Sequence, residues 1–148
     1  MDSSLVKAVG FVHLRVHSAF SLRQGALSIE ALAKLAKADS MPALAITDTN
    51  NLFGALEFSE KLAKAGVQPI IGAQITVDFG DAPPSASRLA EARVARAPLA
   101  LIAKDEQGYR ALMRLASRVW LEMTAGTSRL SLPAFSGSYL KMIWIRRG

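Results

Sequence analysis

Phe11-Val12-His13-Leu14-Arg15-Val16-His17-Ser18 alternates apolar and polar residues, and its reading decides how the rest of the chain is organised. With period 2, Val12, Leu14 and Val16 fall on one face of a strand, and His13, Arg15 and His17 on the other. Strands inside α/β folds are normally apolar on both faces. A polar file therefore predicts a strand that lines a pocket. Positions 15 and 17 would have Cα atoms about 6.6 Å apart, close enough to serve one or two metal ions. An arginine at one of them cannot ligate a metal. The strand is laid out like a metal site whose chemistry has been changed.

Outward from this strand, predicted strands alternate with helices. Residues 18–27 form a loop around Gly25. Ser28 caps a helix with Glu30 in its favourable first turn, and Ile29, Leu32, Ala33, Leu35 and Ala36 mark its apolar face. Pro42 opens a short buried strand over 43–47, followed by the turn Asp48-Thr49-Asn50-Asn51. A second helix is predicted over 52–65, closed by Gly66. Residues 69–77 read as a strand in which Gly72 marks a bulge or a close backbone approach. Residues 80–97, with Gly80, Pro83, Pro84, Ser85 and Ser87, read as a surface loop holding a short helix over 88–94. A fourth strand spans 99–103. Asp105 caps a last helix with apolar face Leu112, Leu115, Ala116, Val119 and Met123. This alternation predicts parallel βαβ units, in a doubly wound sheet or a barrel. Past about Phe135 the text shows neither period. The expected organisation is a lead over 1–10, a domain over 11–135 and an atypical tail over 136–148. That tail reads as a truncation, a shifted frame or a short amphipathic end.

At 148 residues the chain is long enough for one domain with its own core. It is 51% hydrophobic with a mean hydropathy of +0.23. No stretch approaches the roughly 20 apolar residues of a membrane span. The densest, Ala97-Pro98-Leu99-Ala100-Leu101-Ile102-Ala103, has the length of a strand. His13 and Arg15 interrupt any signal-peptide core. With no cysteine there are no disulfides and no thiolate metal sites. A cytoplasmic protein without membrane contact is expected. The net charge of +6 is uneven: residues 1–81 hold 7 Lys/Arg and 8 Asp/Glu, and residues 82–148 hold 11 and 4. The basic half marks contact with nucleic acid or an acidic partner, or else a solvated helix face plus the tail.

Polar residues gather where the strands end: His13, Arg15 and His17, then Asp48 and Thr49, then Gln74. In parallel α/β architectures those ends carry the site. The same segments carry a resemblance. Residues 11–18 are followed in order by Pro42-Ala43-Leu44-Ala45-Ile46-Thr47-Asp48 and Asn51-Leu52-Phe53-Gly54-Ala55-Leu56-Glu57-Phe58. Gly66-Val67-Gln68-Pro69-Ile70-Ile71-Gly72-Ala73 and Leu101-Ile102-Ala103-Lys104-Asp105-Glu106-Gln107-Gly108-Tyr109-Arg110 come next. Together they resemble the polymerase and histidinol phosphatase (PHP) domain of bacterial DNA polymerase III alpha subunits, over about residues 10–135. The resemblance implies a distorted seven-stranded α/β barrel, of which this chain supplies about the first half. The polymerase regions would lie past residue 148. The fourth strand would then have an unpaired edge, and the isolated fragment would be poorly soluble or molten.

Active members of the superfamily hydrolyse phosphoesters with a metal cluster at the barrel mouth. The resemblance places the family's His-x-His pair on Arg15 and His17. Its later ligand positions fall on Gln24, Thr49, Gln74 and Pro98. Only His17 keeps a metal-binding side chain, so the expected site is a vestigial pocket of His13, Arg15, His17, Gln24, Asp48, Thr49, Gln74 and Pro98. No catalytic residue, intact metal site or cofactor is expected in this stretch, although a full-length family member is a DNA-directed DNA polymerase using Mg²⁺. The partners implied are the rest of the alpha subunit, the proofreading exonuclease subunit, and DNA through the whole enzyme. Three functions follow for testing: a scaffold and docking domain, a metal-dependent phosphoesterase or 3′–5′ exonuclease, and a phosphate-binding module built on Arg15. Arg15 is expected to point into the barrel mouth near His17 and Asp48.

Overall fold

The computed structural model describes residues 10–78, 96–121, 130–131 and 142–146. Helix α1 (Ile29–Ala38) begins where predicted: the Ser28 hydroxyl accepts from the Ala31 N–H at 3.2 Å. It buries Ile29, Leu32, Ala33 and Ala36. Leu35, predicted on the same face, is 50% exposed. At 100° per residue it lies about 110° from the centre of the buried arc, outside the stripe a neighbour can cover.

Strand β1 (Ala43–Thr49), helix α2 (Ala55–Ala65) and strand β2 (Gln68–Asp78) form the expected parallel unit, with Ala43 beside Gln68 and Thr49 beside Gln74. Helix α2 starts three residues later than predicted. Asn51 accepts from the Phe53 N–H, and Leu52 O from the Ala55 N–H, in a turn that precedes it. Gly66, at φ 78°, closes it. Gly72 is a close approach: a Cβ there would lie 2.5 Å from the Leu101 carbonyl oxygen.

Strand β3 (Arg96–Ala103) corrects the parallel expectation, because it runs antiparallel to β2, with Gly72 beside Ile102 and Thr76 beside Pro98. Helix α3 (Glu106–Leu121) follows, its first turn held by the Asp105 carboxylate accepting from the Gly108 N–H at 2.8 Å. It buries Ala111, Leu112, Leu115, Ala116 and Val119. Two short strands complete a mixed five-stranded sheet. β4 (Leu130–Ser131) pairs with the end of β2, and β5 (Met142–Arg146) runs antiparallel to β3. The expectations of a tail without strand logic and of an open edge on β3 are corrected here. The structure places β5 along Leu99–Ala103. The helix expected over 88–94 and the position of Met123 lie outside the described residues.

The residues predicted as the first strand, 11–17, run beside β1 without joining the sheet as a regular strand. Ala45 N–H donates to His13 O at 2.9 Å, and Thr47 N–H to Val16 O at 2.7 Å. The donors are two residues apart and the acceptors three. One extra residue is accommodated in this segment, as in a β-bulge, and the two-residue alternation cannot survive it. Leu14, expected beside Val12 and Val16, is 41% exposed.

The register gives the sheet two unlike faces. Leu44, Ile46, Ala73, Ile75, Val77, Leu99 and Leu101 share one, with Asp48 at its end, and the three helices of the described residues pack there in two apolar clusters. The other carries Ile70 and Ile102 toward one end and, around Gln74, the small or polar Ala45, Thr47, Thr49, Gly72, Thr76, Pro98 and Ala100. Among the described residues no helix is long and apolar enough to cross a membrane.

Candidate functional site

The end of β1 holds a buried carboxylate. Asp48 Oδ1 accepts from the Ser18 N–H at 2.7 Å and from Ser21 Oγ at 2.6 Å, while Oδ2 accepts from Ser18 Oγ at 2.6 Å. Ser21 Oγ in turn accepts from the Thr49 N–H at 2.9 Å. Ser18, Ser21 and Asp48 are all buried. The loop that supplies the serines folds back tightly: a Cβ on Gly25 would fall 2.0 Å from the Ser18 carbonyl oxygen. Asn51 adds a further tie, donating to Phe20 O and Thr49 O. Asp48 therefore anchors the loop.

The opposite face of the sheet carries a second network. Arg15 Nε donates to Gln74 Oε1 at 2.9 Å, and a terminal guanidinium nitrogen donates to the same oxygen. Gln74 Nε2 donates to Thr49 Oγ1 at 3.2 Å, and Thr49 Oγ1 donates to Gln24 Oε1 at 2.6 Å. Gln74 is buried, Arg15 and Thr49 are half-buried, and Gln24 is exposed. His17 lies beside them. Burial, and then the positive charge of Arg15, pull its pKa below the ordinary 6.5, while the Asp48 carboxylate and the Gln74 amide pull the other way. Its Nε2 is buried without a hydrogen-bond partner, a state shared among the described residues by Asn50 Oδ1.

Four of the eight residues expected in the pocket are thus joined directly: Arg15, Gln74, Thr49 and Gln24. His17 adjoins them. Asp48 belongs to the loop anchor, so Arg15 pairs with Gln74 and not with the carboxylate expected beside it. His13 is exposed and packs edge-on against Phe11, with ring centroids 4.7 Å apart. Pro98 sits beside Thr76 on the polar face, with no donor to offer. Ser18 and Ser21 were missed, because isolated loop hydroxyls follow no spacing rule that would single them out.

A metal cluster does not fit this arrangement. Among the described residues no three His, Cys, Asp or Glu side chains come together. The Asp48 carboxylate already accepts from three donors, and a guanidinium, always charged, heads the chain of the remaining polar groups. Neutral amides and a threonine hydroxyl are weak ligands for the ions that hydrolytic sites use.

Beyond the turn after β1, Phe20, Phe53 and Trp120 form an exposed aromatic row, with centroids 6.5 and 6.2 Å apart. Trp120 Nε1 donates to Asn50 O at 2.8 Å. An open, mostly apolar groove of about 650 Å³ runs from Phe53 to Leu121.

The DNA polymerase III subunit alpha of Caulobacter vibrioides is 48% identical over 115 residues, which is 76% of this chain and 9% of the relative. That of Thermus aquaticus is 42% identical over 124 residues, 76% and 9%, and that of Treponema pallidum 41% over 116 residues, 77% and 10%. The chain spans about a tenth of the length of these relatives. Among solved structures, an amidohydrolase from Chromobacterium violaceum with bound SO4 and no metal matches with a TM-score of 0.56 at 21% identity. It covers 74% of this chain and 33% of its own. A second structure, from Bifidobacterium adolescentis, matches at 0.52 and 16%, covering 73% and 32%. At those identities the likeness is one of fold. A PHP domain model matches residues 13–143, and with it the chain belongs to the PHP domain family, as found in the N-terminal part of DNA polymerase III alpha subunits.

Proposed function

We propose that this chain is the PHP segment of a replicative DNA polymerase III alpha subunit and acts as a scaffold and docking domain. It supports the rest of that subunit and a proofreading exonuclease, and catalyses no hydrolysis of its own. The observation that carries the reading is the Arg15–Gln74–Thr49–Gln24 network, a permanent cation and neutral side chains at positions where the resemblance implies metal ligands. A hydrolytic cluster needs several anionic or imidazole ligands to hold its ions and activate water. On this reading, Mg²⁺-dependent nucleotide transfer belongs to parts of the relatives outside the matched tenth, and the cell compartment is the cytoplasm.

Assay of the chain with Mn²⁺ or Zn²⁺, against a chromogenic phosphoester and single-stranded DNA, tests the proposal. No metal-stimulated hydrolysis is expected. Hydrolysis that rises with metal and disappears in His17→Ala would replace the scaffold with the phosphoesterase or exonuclease reading. Docking is tested separately, by co-purification with the exonuclease subunit of the same replisome.

A further inference from the structure

We infer that Arg15 is a built-in cation that joins the former ligand positions to one another, so that this PHP domain is assembled and stabilised without metal. The inference rests on reading the chain as a PHP domain; the contacts themselves do not. The two donors that Arg15 directs at Gln74 Oε1 fix the orientation of that amide. Its nitrogen is thereby turned to Thr49 Oγ1. A hydroxyl has one proton, and with Gln74 donating to it, Thr49 sends that proton to Gln24 Oε1. The chain of donors therefore runs in one direction, outward from the guanidinium.

This directionality explains the residue at 74. A glutamate would accept from Arg15 equally well but could not donate to Thr49, and it would restore a ligand for metal. Glutamine supplies both an acceptor for the cation and a donor for the next residue. The groups linked lie 59 and 25 residues apart in sequence. They tie the 11–17 segment, the following loop, the end of β1 and the middle of β2 into one unit. A bound cation does the same for ligands drawn from separate segments. A metal ion entering here would have to displace the guanidinium against its charge.

Thermal unfolding of the 148-residue chain, followed by circular dichroism, tests the inference. Excess EDTA, Mn²⁺ or Zn²⁺ should leave the wild-type midpoint where it is. Arg15→Met, which keeps the stem and removes the donors, should lower it by about 5–10 °C. In Arg15→Ala, methylguanidinium should recover part of the loss while sodium chloride at equal ionic strength should not. A midpoint that rises with Mn²⁺ or Zn²⁺, an unchanged midpoint in Arg15→Met, or equal recovery with either salt would overturn it. Should the variants fail to fold, the wild-type protein still decides. The Arg15 Nε–H resonance must exchange slowly with solvent in the presence of EDTA, and rapid exchange refutes the link. A midpoint raised by metal without hydrolysis sinks this inference alone, and hydrolysis lost in His17→Ala sinks the scaffold proposal.

Discussion

The two faces of one sheet obey different rules. The three helices among the described residues cover the first, and apart from Asp48 at the end of β1 its residues are interchangeable in kind: Leu44, Ile46, Ala73, Ile75, Leu99 and Leu101 are all apolar and all buried. The polar network on the second face is specified residue by residue, since Arg15, Gln74, Thr49 and Gln24 each need the particular donor or acceptor of the next. The comparison separates what makes the fold from what makes the site. Because the helices lie on the opposite side, the residues of this network could be exchanged without disturbing the packing that holds the sheet.

The largest effect should come from the packed face. Phe58, on α2, is fully buried in the cluster it forms with α1 and β1. Phe58→Ala should cost about 3–5 kcal/mol, read as a lower urea midpoint. A loss under about 1 kcal/mol would mean that this face is loosely packed and that the contrast between faces is false.

Next in size is the loop anchor, whose carboxylate lies on the packed side at the end of β1. Asp48→Ala leaves the Ser18 N–H and two serine hydroxyls without their acceptor. About 2–4 kcal/mol should be lost, with Asp48→Asn losing roughly half as much. Equal stability of wild type and Asp48→Ala in urea would show that water replaces the carboxylate and that the anchor is dispensable.

The packed face was mostly legible in the sequence, because its signals are local. Ser28, Asp105 and Gly66 announce helix ends, and the apolar spacing of residues 29–36 and 112–119 announces helix faces. The direction of β3 was not legible. Residues 79–95 separate it from β2, and a connection of that length serves a parallel or an antiparallel strand. The polar face was legible in outline, in that Arg15, Thr49 and Gln74 were singled out. Its wiring was not, since alternation assumes a regular ladder and the acceptors His13 and Val16 are spaced by three. The role of Asp48 was likewise hidden: it neighbours Thr49 in sequence, but its register beside Ala73 puts it on the opposite side of β1, where it holds the loop. β5 had a signal in Ile143-Trp144-Ile145, whose residue types favour strands. The charged and glycine-containing flanks obscured it.

Outside both faces, the aromatic row should tolerate change. Phe53 is 65% exposed and Leu121 75% exposed. The double substitution Phe53→Ser with Leu121→Ser should shift stability by no more than about 0.5 kcal/mol per site and should raise the solubility limit of the chain. That places the expected poor solubility in the groove and not at the edge of β3, which β5 pairs. Solubility unchanged while unfolding becomes non-cooperative would assign these side chains to the core instead.

The smallest effect concerns protons at the seam between the networks. His17 has its pKa lowered in the folded chain, by burial first and by Arg15 second. Below the ordinary value of 6.5 the unfolded chain therefore takes up a proton on His17 before the folded chain does. Protonation then favours unfolding, so stability is full above that value and falls as the pH is lowered through the window down to the folded pKa. His17→Gln removes this component and should flatten the slope there. Stability against pH, measured by urea midpoints for the two proteins, decides the matter. Parallel profiles for wild type and His17→Gln would mean that the ring is free to take its proton in the folded state. Arg15 and the buried environment would then not shape the polar face as its geometry indicates.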